Sequence, residues 1–110
     1  MINKFLYALN GLFIAVKSLS IRLLIYCAII AALFSYIFKF SLLENIVIIL
    51  CGTIVICTEM GNEAIERICD MVNPTYDKRI KEIKDIAAGA TLIASSTSLI
   101  IGIIIVLRHI

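Results

Sequence analysis

The sequence predicts an all-α membrane protein with an N-terminal surface helix and three transmembrane helices. Hydrophobic residues make up 62% of the 110 residues and charged residues only 16%, and the mean hydropathy is +1.07, unlike a soluble domain. A bilayer-spanning helix takes about 20 residues. The chain therefore has room for three or four spans with short connections, and any chemistry must sit at the membrane surface.

Charge and cysteine content exclude two classes of function. The net charge is +2, and no basic run is accompanied by aromatic residues, so the sequence predicts no nucleic-acid partner. The four cysteines form no C-x-x-C pair, and His109 is the one histidine, so no set has zinc spacing. We interpret the cysteines as small apolar residues.

The N-terminal element is predicted to be an amphipathic helix in the membrane interface, over residues 1–19. Its apolar residues recur at three- and four-residue steps, as in surface helices. They are Ile2, Phe5, Leu6, Leu9, Leu12, Phe13 and Val16.

Three uncharged stretches, 23–38, 45–58 and 86–107, predict the spans. The first two reach spanning length when their polar flanks are included, because long basic side chains snorkel and backbone groups in lipid must stay helically bonded. The predicted spans are 20–39, 42–70 with a cytoplasmic extension, and 84–108. A cytoplasmic loop, 71–83, connects the last two.

Basic residues predict the orientation in a bacterial cytoplasmic (inner) membrane. Three basic residues precede the first uncharged stretch and five lie between the second and third, so both regions are expected to be cytoplasmic. They are Lys4, Lys17 and Arg22, and Arg67, Lys78, Arg79, Lys81 and Lys84. The third span also carries a ridge of small residues, Ala90, Ala94, Ser98 and Gly102. This ridge predicts close helix contact, either within one chain or between chains.

The segment most informative about chemistry continues the second apolar stretch. On a helix, Glu59, Asn62, Glu66 and Asp70 fall within a sector of about 80°; we call these four residues the polar stripe. Acids at a membrane boundary are costly unless they face water, a cation or polar groups. A divalent metal would relieve their repulsion, and oxygen ligands favour Mg²⁺ completed by substrate phosphates. A solvated helix face is the alternative.

A basic run could supply the phosphate contacts, since it follows the connection that holds Asn73-Pro74. Its members are Lys78, Arg79, Lys81 and Lys84, with Asp85 next to the last. The chain has neither a P-loop nor a protein-kinase glycine loop. The alternative interpretation of this run is ordinary positive-inside topology with contact to anionic lipid.

The pattern Glu59-x-x-Asn62-x-Ala64-Ile65-Glu66-x-x-x-Asp70, followed by Lys84-Asp85 and an alanine-rich third span, resembles the small prokaryotic diacylglycerol kinases, a family that includes undecaprenol kinases. The resemblance covers essentially the whole chain. It implies a homotrimeric helical bundle that uses ATP and Mg²⁺ to phosphorylate a lipid alcohol, either diacylglycerol or undecaprenol.

The resemblance also implies residue roles. Glu59 takes the position of the general base near the lipid hydroxyl, Asn62 supports it, and Glu66 holds the metal. Lys84 contacts ATP phosphate, and Asp85 neighbours it in the nucleotide site. Thr75-Tyr76-Asp77 matches a nucleotide-contact loop weakly, and Asp70 completes the signature.

One departure from the family pattern concerns a second metal-binding glutamate before the first span. Ser18 or Leu19 stands there, depending on the register, and no acid precedes Glu44. Water or Ser18 could fill the ligand position, Glu63 could compensate, or activity could be lost. For Glu63, an i,i+4 pair with Arg67 is the simpler interpretation. We expect a working kinase with weakened metal affinity.

Two rival functions remain at this stage. A catalytically impaired family member that binds nucleotide or lipid shares every feature except the missing glutamate. A small transporter is disfavoured because the acids cluster at one membrane exit and the first span carries none.

Overall fold

The computed structural model describes residues 2–110, which form four α-helices. Helix α1 covers Ile2–Ala15, α2 Leu19–Phe38, α3 Leu42–Val72 and α4 Lys78–Arg108. The last three are long and apolar enough to cross a membrane, and α1 is a shorter apolar helix. The predicted fold class is confirmed.

A tight turn joins α2 to α3. Lys39 ends α2 in the left-handed region, with φ 56°. Ser41 then begins α3 with a capping box, in which its hydroxyl accepts the Glu44 N–H and the Glu44 carboxylate accepts the Ser41 N–H. This reciprocal capping satisfies backbone N–H groups that the first helical turn leaves free.

Helix α3 runs for 31 residues without interruption. At 1.5 Å per residue it is about 46 Å long, which exceeds the roughly 30 Å hydrocarbon core. The helix ends just before Asn73-Pro74, because a residue that precedes proline disfavours the helical region. Helix α3 therefore continues beyond Glu59 without a break.

Helix α4 begins earlier than the predicted third span. Asp77 caps it by accepting the Arg79 N–H at 2.8 Å, so the helix starts at Lys78 and the connection shrinks from the predicted 71–83 to residues 73–77. The first six residues of α4 precede the predicted start of the span at position 84. The Asp77 cap lets the helix start at Lys78 even though the segment 78–83 is polar. No proline or glycine interrupts that segment.

Helices α3 and α4 pack against each other along their length as an antiparallel pair. Lys84 meets Asp70 at one end, and Ser98 Oγ lies 3.4 Å from the Cys51 carbonyl oxygen in the middle. Glu44 meets His109 at the other end. We call these the stripe end and the far end of the pair. Helix α2 contacts α3 less extensively, in part through a Ser35–Asn45 hydrogen bond.

The small-residue ridge of α4 is only partly used within the chain. Ala94, Ser98 and Gly102 are half-buried, whereas Ala90 is exposed. Ser98 makes the predicted close contact with α3, so at least this part of the ridge serves packing inside one chain.

The chain on its own has a thin core. Small side chains such as Ala15 and Ala87 are buried, together with Val55 and Ile105, while large apolar side chains along every helix are exposed. A soluble monomer rarely exposes so much continuous apolar surface. Three such helices are instead suited to a lipid surrounding.

Candidate active site

The polar stripe lies on the last third of α3, where the helix is unbroken. Glu59 and Asn62 are half-buried, and Glu66 and Asp70 are exposed. The polar stripe therefore runs from the apolar middle of the α3–α4 pair to its solvent-exposed stripe end.

Glu59 and Asn62 form the inner part of the stripe. Glu63 and Glu66 follow Glu59 at i+4 and i+7 and Asn62 follows it at i+3, so the Asn62 amide and two like charges lie on neighbouring turns of the same helix. Asn62 Oδ1 is buried and accepts no hydrogen bond within residues 2–110. An unpaired buried carbonyl oxygen is costly, so this atom is available to a donor group or a cation.

Asp70 and Lys84 join the stripe to α4. Lys84 Nζ donates to Asp70 Oδ1 at 2.7 Å, and the two side chains are 36% and 64% exposed. The sequence placed both residues in the site but did not pair them. The pairing gives Asp70 a definite contact, because its carboxylate holds the lysine that was predicted to meet phosphate.

The other predicted nucleotide contacts also carry local partners. Lys81 Nζ lies 2.7 Å from Asp85 Oδ2, and both side chains are about 60% exposed. Exposed i,i+4 pairs of this kind contribute little to stability. An incoming phosphate group could therefore recruit Lys81 at small cost.

The connection 73–77 is ordered by its own side chains. Asn73 Oδ1 accepts from the Thr75 N–H at 3.0 Å and from its hydroxyl at 2.7 Å, which forms a local Asx turn. Asp77 accepts the Arg79 N–H and lies beside the Arg79 guanidinium, and both contacts lower the pKa of Asp77. Tyr76 is exposed. The side-chain hydrogen bonds of Thr75 and Asp77 stay within residues 73–79 and do not reach the stripe.

Two further predictions concern the missing glutamate. Arg67 Nε donates to Glu63 Oε1 at 3.2 Å, which favours the ion-pair interpretation of Glu63 over compensation. Ser18 occupies the N-cap position of α2, and its side chain makes no capping hydrogen bond. Within residues 2–110, no hydrogen bond connects Ser18 to the stripe.

The oxygen donors of the polar stripe are of the kind that magnesium takes in proteins. Across residues 2–110, no three histidine, cysteine, aspartate or glutamate side chains come together as a metal cage. Mg²⁺ often needs only one or two protein carboxylates, with phosphate oxygens and water completing its shell. The exposed Glu66 carboxylate and the unpartnered Asn62 oxygen are hard oxygen donors of the required kind.

Comparison with known families decides the identity of this arrangement. The family model described as prokaryotic diacylglycerol kinase matches residues 6–106. The chain belongs to the prokaryotic diacylglycerol kinase family. The match covers nearly the whole chain, from α1 to the end of α4. No curated protein and no solved structure matches the chain.

Membership of the prokaryotic diacylglycerol kinase family confirms the resemblance that the polar stripe and Lys84-Asp85 predicted. It also makes the chain a lipid kinase by family, and its three apolar helices agree with a protein of the bacterial inner membrane.

Sequence reasoning missed the polar cluster at the far end. Glu44 is only 7% exposed, and its Oε1 lies 2.8 Å from His109 Nε2. The capping-box pattern Ser41-x-x-Glu44 was readable in the sequence. The contact with His109, 65 positions away, depends on the packing of α3 against α4.

Proposed function

We propose that the protein transfers the γ-phosphoryl group of ATP, supplied as its magnesium complex, to the hydroxyl group of a membrane lipid. The proposal rests on one observation: the polar stripe and Lys84 share one end of an antiparallel pair of apolar helices. Family membership supports it. We further propose that the stripe end is cytoplasmic, where ATP is available, and that the N-terminus lies on the same side.

The reaction requires positioning and charge neutralisation more than covalent chemistry by the protein. The lipid hydroxyl oxygen forms a bond to the γ-phosphorus while the bond to the β–γ bridging oxygen breaks, and ADP leaves. Glu59 accepts the hydroxyl proton, and Asn62 orients the Glu59 carboxylate. The half-buried position of both residues at the membrane boundary suits an acceptor that stays in the bilayer.

The nucleotide contacts come from the exposed part of the stripe and from α4. We propose that Glu66 holds the magnesium ion of the nucleotide and that Lys84 leaves Asp70 to bind phosphate. Asp85 and the segment 75–77 contact the rest of the nucleotide. Bound magnesium neutralises phosphate charge, which favours attack by the hydroxyl oxygen.

The acceptor is proposed to be diacylglycerol or undecaprenol. The segment Ile86-Ala87-Ala88-Gly89-Ala90 after Lys84-Asp85 is more like the undecaprenol-kinase branch. A homotrimer is also proposed, and the thin core of the single chain supports association between copies.

The test is phosphoryl transfer by purified protein in mixed micelles with Mg²⁺ and labelled ATP, with each lipid offered separately. Label in one lipid identifies the acceptor. Glu59→Gln should lower transfer by about 100-fold or more, the usual size of a general-base effect. Glu63→Gln is the matched control on the same turn, and it should stay within about twofold because Glu63 already pairs with Arg67.

A second candidate function, a catalytically silent member that binds nucleotide or lipid, is favoured by the serine at position 18. Nucleotide binding without label in either lipid would support it. Activity of Glu59→Gln close to that of the parent would instead remove Glu59 from its role. If the kinase is active with weakened metal affinity, half-maximal turnover will require more Mg²⁺ in the parent than in Ser18→Glu.

A further inference from the structure

An apolar groove of about 210 Å³ lies between α3 and α4 at the far end, away from the polar stripe. Five aliphatic side chains line it, and Arg108 and Glu44 close one end. The aliphatic residues are Leu43, Val47, Ile101, Ile104 and Ile105. The groove therefore has an apolar body and a charged end.

The guanidinium of Arg108 has free donors. Its side chain is 69% exposed, and its Nη1 lies 3.6 Å from Glu44 Oε2, an ion-pair distance too long for a hydrogen bond. Within residues 2–110, Arg108 side-chain N–H groups make no hydrogen bond. Glu44 orients the guanidinium but leaves its N–H donors free. A planar guanidinium binds two oxygens of one phosphate through two parallel hydrogen bonds.

The carboxylate at this end is hidden, and one of its oxygens, Oε1, carries its hydrogen bonds, while Oε2 has only Arg108 nearby at 3.6 Å. Glu44 is 7% exposed, and its Oε1 accepts from the Ser41 N–H and lies 2.8 Å from His109 Nε2. The exposed charged side chains at the far end, Lys39 and Arg108, are both positive. The accessible surface at the charged end of the groove therefore favours an anion.

The depth of Arg108 matches that of a lipid head group. The uncharged stretch 86–107 has 22 residues, about 33 Å of helix, close to the roughly 30 Å hydrocarbon thickness. Arg108 follows it directly, so the guanidinium reaches the interface while the aliphatic part of the groove extends toward the membrane centre.

A second groove offers an internal comparison. It lies at the stripe end, has about 220 Å³, and is lined by apolar side chains alone, among them Ile65, Val72 and Ile83. Of the two grooves, only the far-end groove combines an apolar body with a cation at interface depth. That combination is complementary to an amphiphile with an anionic head.

We propose that the far-end groove binds one phospholipid with an anionic head group. Its phosphate pairs with the Arg108 guanidinium, and one acyl chain lies along the aliphatic residues of the groove. The site is distinct from the candidate active site, because about 22 Å of helix separates Glu44 from Glu59. It does not depend on the proposed kinase reaction.

The test is native mass spectrometry of the full chain released from non-ionic micelles that contain equal amounts of phosphatidylglycerol and phosphatidylcholine with identical acyl chains. The parent should retain one phosphatidylglycerol per chain with a preference of about fivefold or more, the contribution expected of a basic residue at an anionic membrane surface. Arg108→Gln should reduce the preference to below about twofold, and Arg108→Lys should keep most of it. Val47→Phe, which fills the groove and keeps the charge, should reduce retention of both lipids.

Arg22→Gln is the matched control, because Arg22 is also exposed at a membrane boundary and lies outside the groove. It should keep the preference of the parent. Equal losses in Arg22→Gln and Arg108→Gln would show only a general charge effect and overturn the proposal. The absence of any preference in the parent would also overturn the proposal. So would a change of oligomeric state in Val47→Phe, because it would mean that a second copy of the chain covers the groove.

Discussion

An ionic contact joins α3 to α4 at each end of the pair. The contact at the stripe end is exposed, and the contact at the far end is buried. At the stripe end, Asp70 and Lys84 meet at 2.7 Å with both side chains open to solvent. At the far end, the Glu44 carboxylate is buried and accepts from Ser41, with His109 at 2.8 Å. An exposed ion pair contributes little and exchanges readily, whereas a buried carboxylate needs all of its partners.

The far end is reinforced by aromatic packing. Phe40, which is buried, lies 5.0 Å from the His109 ring and 6.3 Å from the Phe38 ring, measured between ring centroids. The end of α2, the start of α3 and the end of α4 therefore meet in one cluster. The far end therefore holds the three helices together, while the charged groups of the stripe end remain exposed.

The largest effect is expected at the stripe end, where a substitution should lower activity and leave thermal stability nearly unchanged. Lys84→Met should lower kcat/KM for magnesium-ATP by about 100-fold or more, because a charged phosphate contact inside an active site is lost. The thermal unfolding midpoint should change little, since the pair with Asp70 is exposed. Steady-state kinetics and thermal unfolding in the same detergent measure the two quantities. Parent-like kinetics would show that Lys84 does not contact phosphate.

The next largest effect is expected at the far end, where stability should fall while substrate binding stays unchanged. Glu44→Ala should lower the thermal unfolding midpoint by several degrees, because the Ser41 N–H loses its acceptor and His109 loses its partner. At temperatures where the variant stays folded, its KM for magnesium-ATP should be unchanged. Glu82→Ala is the control, since Glu82 is an exposed acid on α4. Equal destabilisation of the two variants would contradict the contrast between the ends.

A smaller effect is expected when the acidic member of the exposed Asp70–Lys84 pair is replaced. Asp70→Asn removes the carboxylate that competes with phosphate for Lys84, so the KM for magnesium-ATP should fall by about two- to fivefold while kcat stays near the parent value. Steady-state kinetics at saturating lipid measures both. A large loss of kcat would show instead that Asp70 acts on the reacting groups.

The smallest effect concerns the cap of α4. The Arg79 N–H and guanidinium hold the pKa of Asp77 below its ordinary value of 3.8, so the charged cap contributes stability above that pH and loses it as the pH falls through the lowered pKa. A carboxyl-carbon NMR titration should give a midpoint below 3.8. Asp77→Asn should keep the cap without this titration. A midpoint at or above 3.8 in the parent would argue against the cap.

Some of these contacts were predictable because they are local. The pairs Glu63–Arg67 and Lys81–Asp85 have i,i+4 spacing, and the capping box at Ser41 follows a short pattern. The polar stripe was also predictable, because an unbroken helix fixes which residues share a face. The contact between Asp70 and Lys84 was not, since it depends on how the connection 73–77 returns the chain.

The sequence by itself determined the helices, their apolar surfaces, the placement of the acids on one face and the family to which the chain belongs. Helical periodicity and the cost of unpaired backbone groups in lipid act within each segment, so no partner is needed to specify them. The tertiary structure decided which charges meet: Asp70 with Lys84, and Glu44 with Arg108 and His109. These contacts join positions far apart in the chain, and they exist only because α4 packs antiparallel against α3.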